Sequence, residues 1–114
     1  MKTLLFASLM LFANSAIAAP LSVPQIQINR TITVDYQCPG GKRFTVNYLN
    51  GSNGQSFVVM PYRGKTLLLI NNMSADGVKF QADSITWWIK GRDGTLFDAR
   101  SDANKPILAD CKTK

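Results

Sequence analysis

Turn signals recur about every ten residues from Pro39 to Pro106, and this spacing leaves room only for short extended segments. They read "PGGK" (Pro39 to Lys42), "NGSNG" (Asn50 to Gly54), "RGK" (Arg63 to Lys65), "SADG" (Ser74 to Gly77), "ADS" (Ala82 to Ser84), "GRDG" (Gly91 to Gly94) and "SDANKP" (Ser101 to Pro106). Glycine and proline set the backbone angles that turns require, and Asn, Asp and Ser bond to nearby backbone. The runs between them are rich in β-branched and aromatic residues. In the first, Ile32, Val34, Tyr36 and Cys38 share one face, with Thr31, Thr33, Asp35 and Gln37 on the other. Phe44, Val46 and Tyr48 repeat the alternation in the second. Gln55 to Tyr62, Thr66 to Asn71, Val78 to Ala82, Ile85 to Lys90, Thr95 to Ala99 and Ile107 to Cys111 bring the count to eight strands, with no helix expected. Short strands joined by tight turns make an all-β antiparallel meander, closed as a barrel or folded as a sandwich.

The cysteines favour the barrel. Cys38 ends the first strand and Cys111 the last, so a bridge between them ties together the two edges that a closed barrel sets side by side. They are the only two cysteines, and one structural disulfide is the economical reading for an exported chain. A lone, widely spaced pair is no zinc site.

Export is expected from the first residues. "MKTLLFASLMLFANSAIAAP" has a cation at Lys2, an apolar run from Leu4 to Ala13, and small residues at Ala16 and Ala18 ahead of Ala19. This is the pattern of a secretory signal peptide over residues 1–18, cleaved near Ala18. No cysteine stands at the junction to accept a lipid, so no membrane anchor is expected. Residues 19–30, with Pro20 and Pro24 and no clear period, read as a flexible N-terminal arm. Residues 31–114 form the barrel domain.

The formal charge of +6 suits an anionic partner or simple solubility. The basic residues are dispersed rather than clustered, and export also argues against nucleic acid. There is no histidine, and all seven acidic residues are aspartates. The chain thus lacks the usual general base at neutral pH and the commonest metal ligand, and no serine, lysine or tyrosine stands in the spacing of an activated nucleophile. No catalytic residue, metal or cofactor is assigned.

The paired tryptophans, Trp87 and Trp88, offer a site. On the run Ile85 to Lys90, Ile85, Trp87 and Ile89 share the core face, while Thr86, Trp88 and Lys90 share the outer one. Trp88 either packs against a neighbouring strand beneath the Lys90 stem or is an aromatic anchor beside a cation, the kind of patch that dominates protein interfaces.

Four stretches, "YQCPGGKRFTVNY" (Tyr36 to Tyr48), "SADGVKF" (Ser74 to Phe80), "WWIKG" (Trp87 to Gly91) and "LADC" (Leu108 to Cys111), resemble the bacterial inhibitors of c-type lysozyme called MliC and PliC. The resemblance implies an eight-stranded antiparallel β-barrel with one disulfide. It also implies a periplasmic inhibitor that places a loop and a strand end in the cleft of a host's c-type lysozyme, through a Ser-Gly-x-x-Tyr motif and a Thr-Lys-Gly motif. Lys90 and Gly91 match the second motif, with Ile89 in place of threonine. Of the first only Gly77 matches, with Asp76 in the serine position, Phe80 in the tyrosine position, and Ser74 two residues before Asp76. The implied lysozyme-binding set is therefore Ser74, Asp76, Gly77, Phe80, Trp88, Lys90 and Gly91. Asp76 either enters the acidic cleft as an unfavourable carboxylate or starts the Asp-Gly turn and points at its own backbone. The alternative function is a module of the same fold that does not inhibit, such as a surface adhesin.

Overall fold

The computed structural model describes residues 22–113. The expected signal peptide and its cleavage point lie outside these residues. Eight strands run in chain order: β1 (Ile28–Gln37), β2 (Arg43–Gly51), β3 (Ser56–Tyr62), β4 (Lys65–Asn72), β5 (Val78–Ala82), β6 (Ile85–Lys90), β7 (Asp93–Asp98) and β8 (Leu108–Thr113). Each pairs antiparallel with the next and β8 pairs back with β1, so the sheet is a closed barrel rather than a sandwich. All eight expected strands are present, because each alternating run has its apolar half pointing into one common core.

That core centres on Trp87, which is fully buried among Tyr36, Val46, Val58, Met60, Leu69, Phe80, Ile85, Leu96 and the disulfide. Its ring meets Tyr36 edge-on at 5.1 Å and Phe44 at 5.5 Å. Its Nε1 donates to the Tyr48 hydroxyl at 3.0 Å, and the Tyr36 and Tyr48 hydroxyls bond each other at 2.6 Å. Every polar atom of this interior group is thus partnered, as burial demands. Burial raises the pKa of Tyr36 and of Tyr48 above the usual phenol value, so both stay protonated hydrogen-bonding groups at ordinary pH. Gly94 makes the room: a Cβ there would run into the Trp87 ring.

The seam between β1 and β8 is short. Its described register consists of Tyr36 opposite Thr113 and Gln37 opposite Lys112. The disulfide joins Cys38, just past β1, to Cys111 within β8, so the covalent bond lies beside the shortest strand pairing. A bulge in β8 makes this possible. Cys111 faces Gly94 and Leu108 faces Leu96, so two β8 residues oppose one on β7, and Asp110 takes a left-handed φ of 57°. Without the extra residue Leu108 and Cys111 could not both face inward.

Three expectations shift. The arm is shorter than residues 19–30, because Ile28 already pairs with Gly51 and Arg30 with Asn50. Upstream, the Gln27 carbonyl accepts from Ser52 N at 2.8 Å and the Gln25 carbonyl from Asn53 Nδ2 at 3.0 Å, which ties these residues to the β2–β3 turn. The "GRDG" turn is only two residues long, with Asp93 and Gly94 already in β7 and Lys90 opposite Asp93. Lastly, one helical turn, α1 (Ala99–Asp102), follows β7. Asp98 caps it by accepting from Arg100 N at 3.0 Å and also accepts from the Tyr62 hydroxyl at 2.6 Å. The Tyr62 bond, then the Arg100 N–H, holds this buried carboxyl below the usual carboxylate range.

Candidate functional site

In an up-and-down barrel successive hairpins alternate between the two ends. The β4–β5 loop and the β6–β7 turn therefore share one end, which brings Ser74 to Gly77 beside Lys90 and Gly91 although they are far apart in sequence. Strand β6 supplies Trp88 and Lys90 on its outer face. The loop lies against them. Gly77 has a φ of 67°, and a Cβ there would collide with the Ile89 carbonyl and come within 2.9 Å of Lys90 Cγ and Trp88 Nε1. Only glycine permits so close a contact between loop and strand.

The contact fixes the loop backbone. Trp88 Nε1 donates to the Asp76 carbonyl at 2.8 Å, and Ser74 Oγ donates to the same carbonyl at 2.6 Å. Trp88 thus braces the loop with its N–H and lies with its ring under the Lys90 ammonium, 3.9 Å from the ring centroid. Gly91 has open space around it, so glycine serves there for the turn rather than for close approach. A φ of 58° at the first turn position, with none at Arg92, is the arrangement of a II′ hairpin.

The Asp76 side chain does not point at its own backbone, one of the two orientations expected from sequence, but reaches across to β6. Its Oδ2 is 3.0 Å from Lys90 Nζ, with side-chain exposures of 71% and 50%, so an ion pair stands at the tip. In water such a pair contributes about 0.2–1 kcal/mol and is readily exchanged for another partner.

Phe80 is a correction. It is only 4% exposed and meets Tyr48 edge-on at 5.8 Å inside the barrel. The period of β5 decides this, since Phe80 shares its face with Val78 and Ala82, while Lys79 and Gln81 share the outer one. Phe80 supports the site from within and presents no contact surface.

The same period points to a residue that the motifs do not mark. Lys79 sits opposite Trp88, with Nζ 4.2 Å from the ring centroid, so two ammonium groups attend one indole. Each such contact contributes about 0.5–1 kcal/mol at an exposed position. Pairing β5 with β6 and comparing outer faces is the signal that finds it. Met73, 95% exposed at the loop, is likewise unmarked, because a methionine between Asn72 and Ser74 carries no signal of its own. Among the described residues no group of three or more His, Cys, Asp or Glu is placed to hold a metal.

Residues 36–105 match the sequence family described as membrane-bound lysozyme-inhibitor of c-type lysozyme. A protein of that name from Cupriavidus necator is 39% identical over 82 residues, which span 71% of this chain and 65% of the relative. Another from Pseudomonas aeruginosa is 42% identical over 67 residues, 59% of this chain and 53% of the relative. The matched region is thus somewhat less than two thirds of either relative's length. Among solved structures, Pseudomonas aeruginosa MliC, crystallised in complex with hen egg white lysozyme, aligns with a TM-score of 0.65 at 36% identity. That alignment covers 87% of this chain and 98% of the other. PliC from Salmonella typhimurium aligns with a TM-score of 0.66 at 20% identity over 75% and 99% of the two chains, a likeness of fold. Matched over most of its barrel, the chain belongs to the MliC family of lysozyme inhibitors.

Proposed function

We propose that the protein binds c-type lysozyme and inhibits it by occluding the substrate cleft with the barrel end that carries Lys90. The observation behind this reading is the braced tip itself: Lys90 stands on Trp88 beside a loop held by Ser74, Gly77 and the Trp88 indole. A cation on a rigid strand end suits an acidic cleft, since little side-chain or loop entropy is lost on docking. Ser74, Asp76, Gly77, Trp88, Lys90 and Gly91 form the contact region, joined by Lys79. The role is non-catalytic. The family relationship supports a protein acting in the periplasm or outside the cell, and the pattern of the first twenty residues fits a signal peptide removed near Ala18.

Lys90 carries the main electrostatic contact. A charge-assisted hydrogen bond to a cleft carboxylate contributes about 1.5–3 kcal/mol, equivalent to roughly ten- to a hundredfold in affinity. In a turbidity assay of lysozyme on bacterial cell walls, micromolar wild type is expected to suppress lysis. Lys90→Ala should raise the concentration needed by about tenfold or more. Full lysozyme activity in the presence of excess wild type would remove the inhibitor reading and leave a same-fold module of different use.

A further inference from the structure

The tip offered to the cleft is a salt-bridged pair rather than a bare ammonium, since Asp76 Oδ2 and Lys90 Nζ lie 3.0 Å apart. The part this pair plays in recognition rests on the inhibitor reading. The charged groups around Asp76 are few. Strand β6 brings Lys90, and β5 brings Lys79, whose ammonium lies over the same indole. On β7, Asp93 stands opposite Lys90 but lies 3.8 Å from Lys112 on β8. The Asp76 backbone is held by Ser74 and Trp88, while both charged side-chain ends are at least half exposed. The tip therefore presents a carboxylate and an ammonium together, at a fixed root and with freedom to re-aim.

A c-type lysozyme offers two carboxyl groups with different protonation. Its general acid is kept protonated by an apolar pocket that raises its pKa to about 6, while the second carboxyl stays ionised. In retaining glycosidases the two are about 5 Å apart. An ammonium alone pairs with the ionised member. A carboxylate brought in beside two ionised groups is repelled, but beside a protonated acid it accepts a short O–H hydrogen bond. We propose that Asp76 and Lys90 act as one recognition unit for that mixed pair, with Lys90 taking the ionised carboxylate and Asp76 accepting from the protonated acid. Asp76 is then a specificity-determining residue that ties binding to the protonated state of the lysozyme.

Linkage sets the sign. Binding holds the general acid protonated, so its effective pKa rises in the complex, and affinity is greatest below about pH 6 and falls as pH increases. Asparagine at position 76 removes the requirement, because an amide both accepts and donates and suits either protonation state.

The test is titration calorimetry of wild type and Asp76→Asn against hen egg white lysozyme from pH 5 to pH 8 at constant ionic strength. Wild-type Kd should rise about tenfold or more across that range, with proton uptake visible in buffers of different ionisation enthalpy. Asp76→Asn should change less than about threefold and bind more tightly than wild type at pH 8. Parallel pH profiles with equal Kd values would overturn this inference and leave inhibition standing. Binding by the variant at every pH with none by wild type would make Asp76 purely repulsive and overturn both this inference and the inhibitor reading. Binding by neither protein at any pH would overturn the inhibitor reading and this inference with it.

Discussion

Trp87→Ala is expected to lower the free energy of unfolding by about 3–5 kcal/mol, a large part of what a domain of this size possesses. Three losses combine. The ring is fully buried, so its removal leaves a cavity at the centre of the barrel. Its edge contacts with Tyr36 and Phe44 vanish. Its N–H no longer satisfies the Tyr48 hydroxyl, which keeps only its bond to Tyr36. The barrel has little means of collapsing into the space, because Gly94 beneath the ring brings no side chain to fill it. Urea denaturation followed by far-UV circular dichroism measures the change, and a loss below about 1 kcal/mol would contradict this view of the core.

Removing the disulfide should cost about as much. Bridging residues 73 apart constrains the unfolded chain by roughly 4 kcal/mol in the loop-entropy model, and loss of a native bridge in a small exported domain costs about 2–5 kcal/mol. The position adds to the expectation. The bond lies at the β1–β8 seam, where Tyr36–Thr113 and Gln37–Lys112 are the described pairs, while Arg92 of the β6–β7 turn ties the end of β8 to the other side by donating to Thr113 from its Nε and Nη2. Once the bridge is gone, that seam is the natural place for the barrel to open and expose two strand edges. Cys38→Ala combined with Cys111→Ala should therefore lower the urea midpoint and quicken hydrogen exchange in β8 before the central strands. Equal stability of the double variant would show that strand pairing alone closes the barrel.

Most of the barrel is legible in the sequence because period two and turn residues are strong, independent signals that agree. Trp87 and Trp88 are separable by period alone. The features that escape a reading of the chain depend on pairs of residues far apart in it. The bulge at Asp110 becomes visible only when Leu108 and Cys111 must both face inward. The tie between Gln27 and Ser52 is backbone to backbone and leaves no trace in side-chain pattern. At the site, Lys90, Gly91 and Gly77 follow from the motifs, whereas motif position carries Phe80 to the surface although its period places it inside. The pairing of Asp76 with Lys90 needs the loop folded back on β6, which no local rule supplies.

Whether the Lys90 end of the barrel fills the substrate cleft is tested most directly by competition. Lysozyme saturated with a chitooligosaccharide that occupies its cleft is titrated with the wild-type protein. Occlusion requires that the apparent Kd rise in proportion to the concentration of oligosaccharide, with displacement of the sugar and no ternary complex. An unchanged Kd with both ligands bound at once would place the protein elsewhere on lysozyme and contradict the role assigned to Lys90.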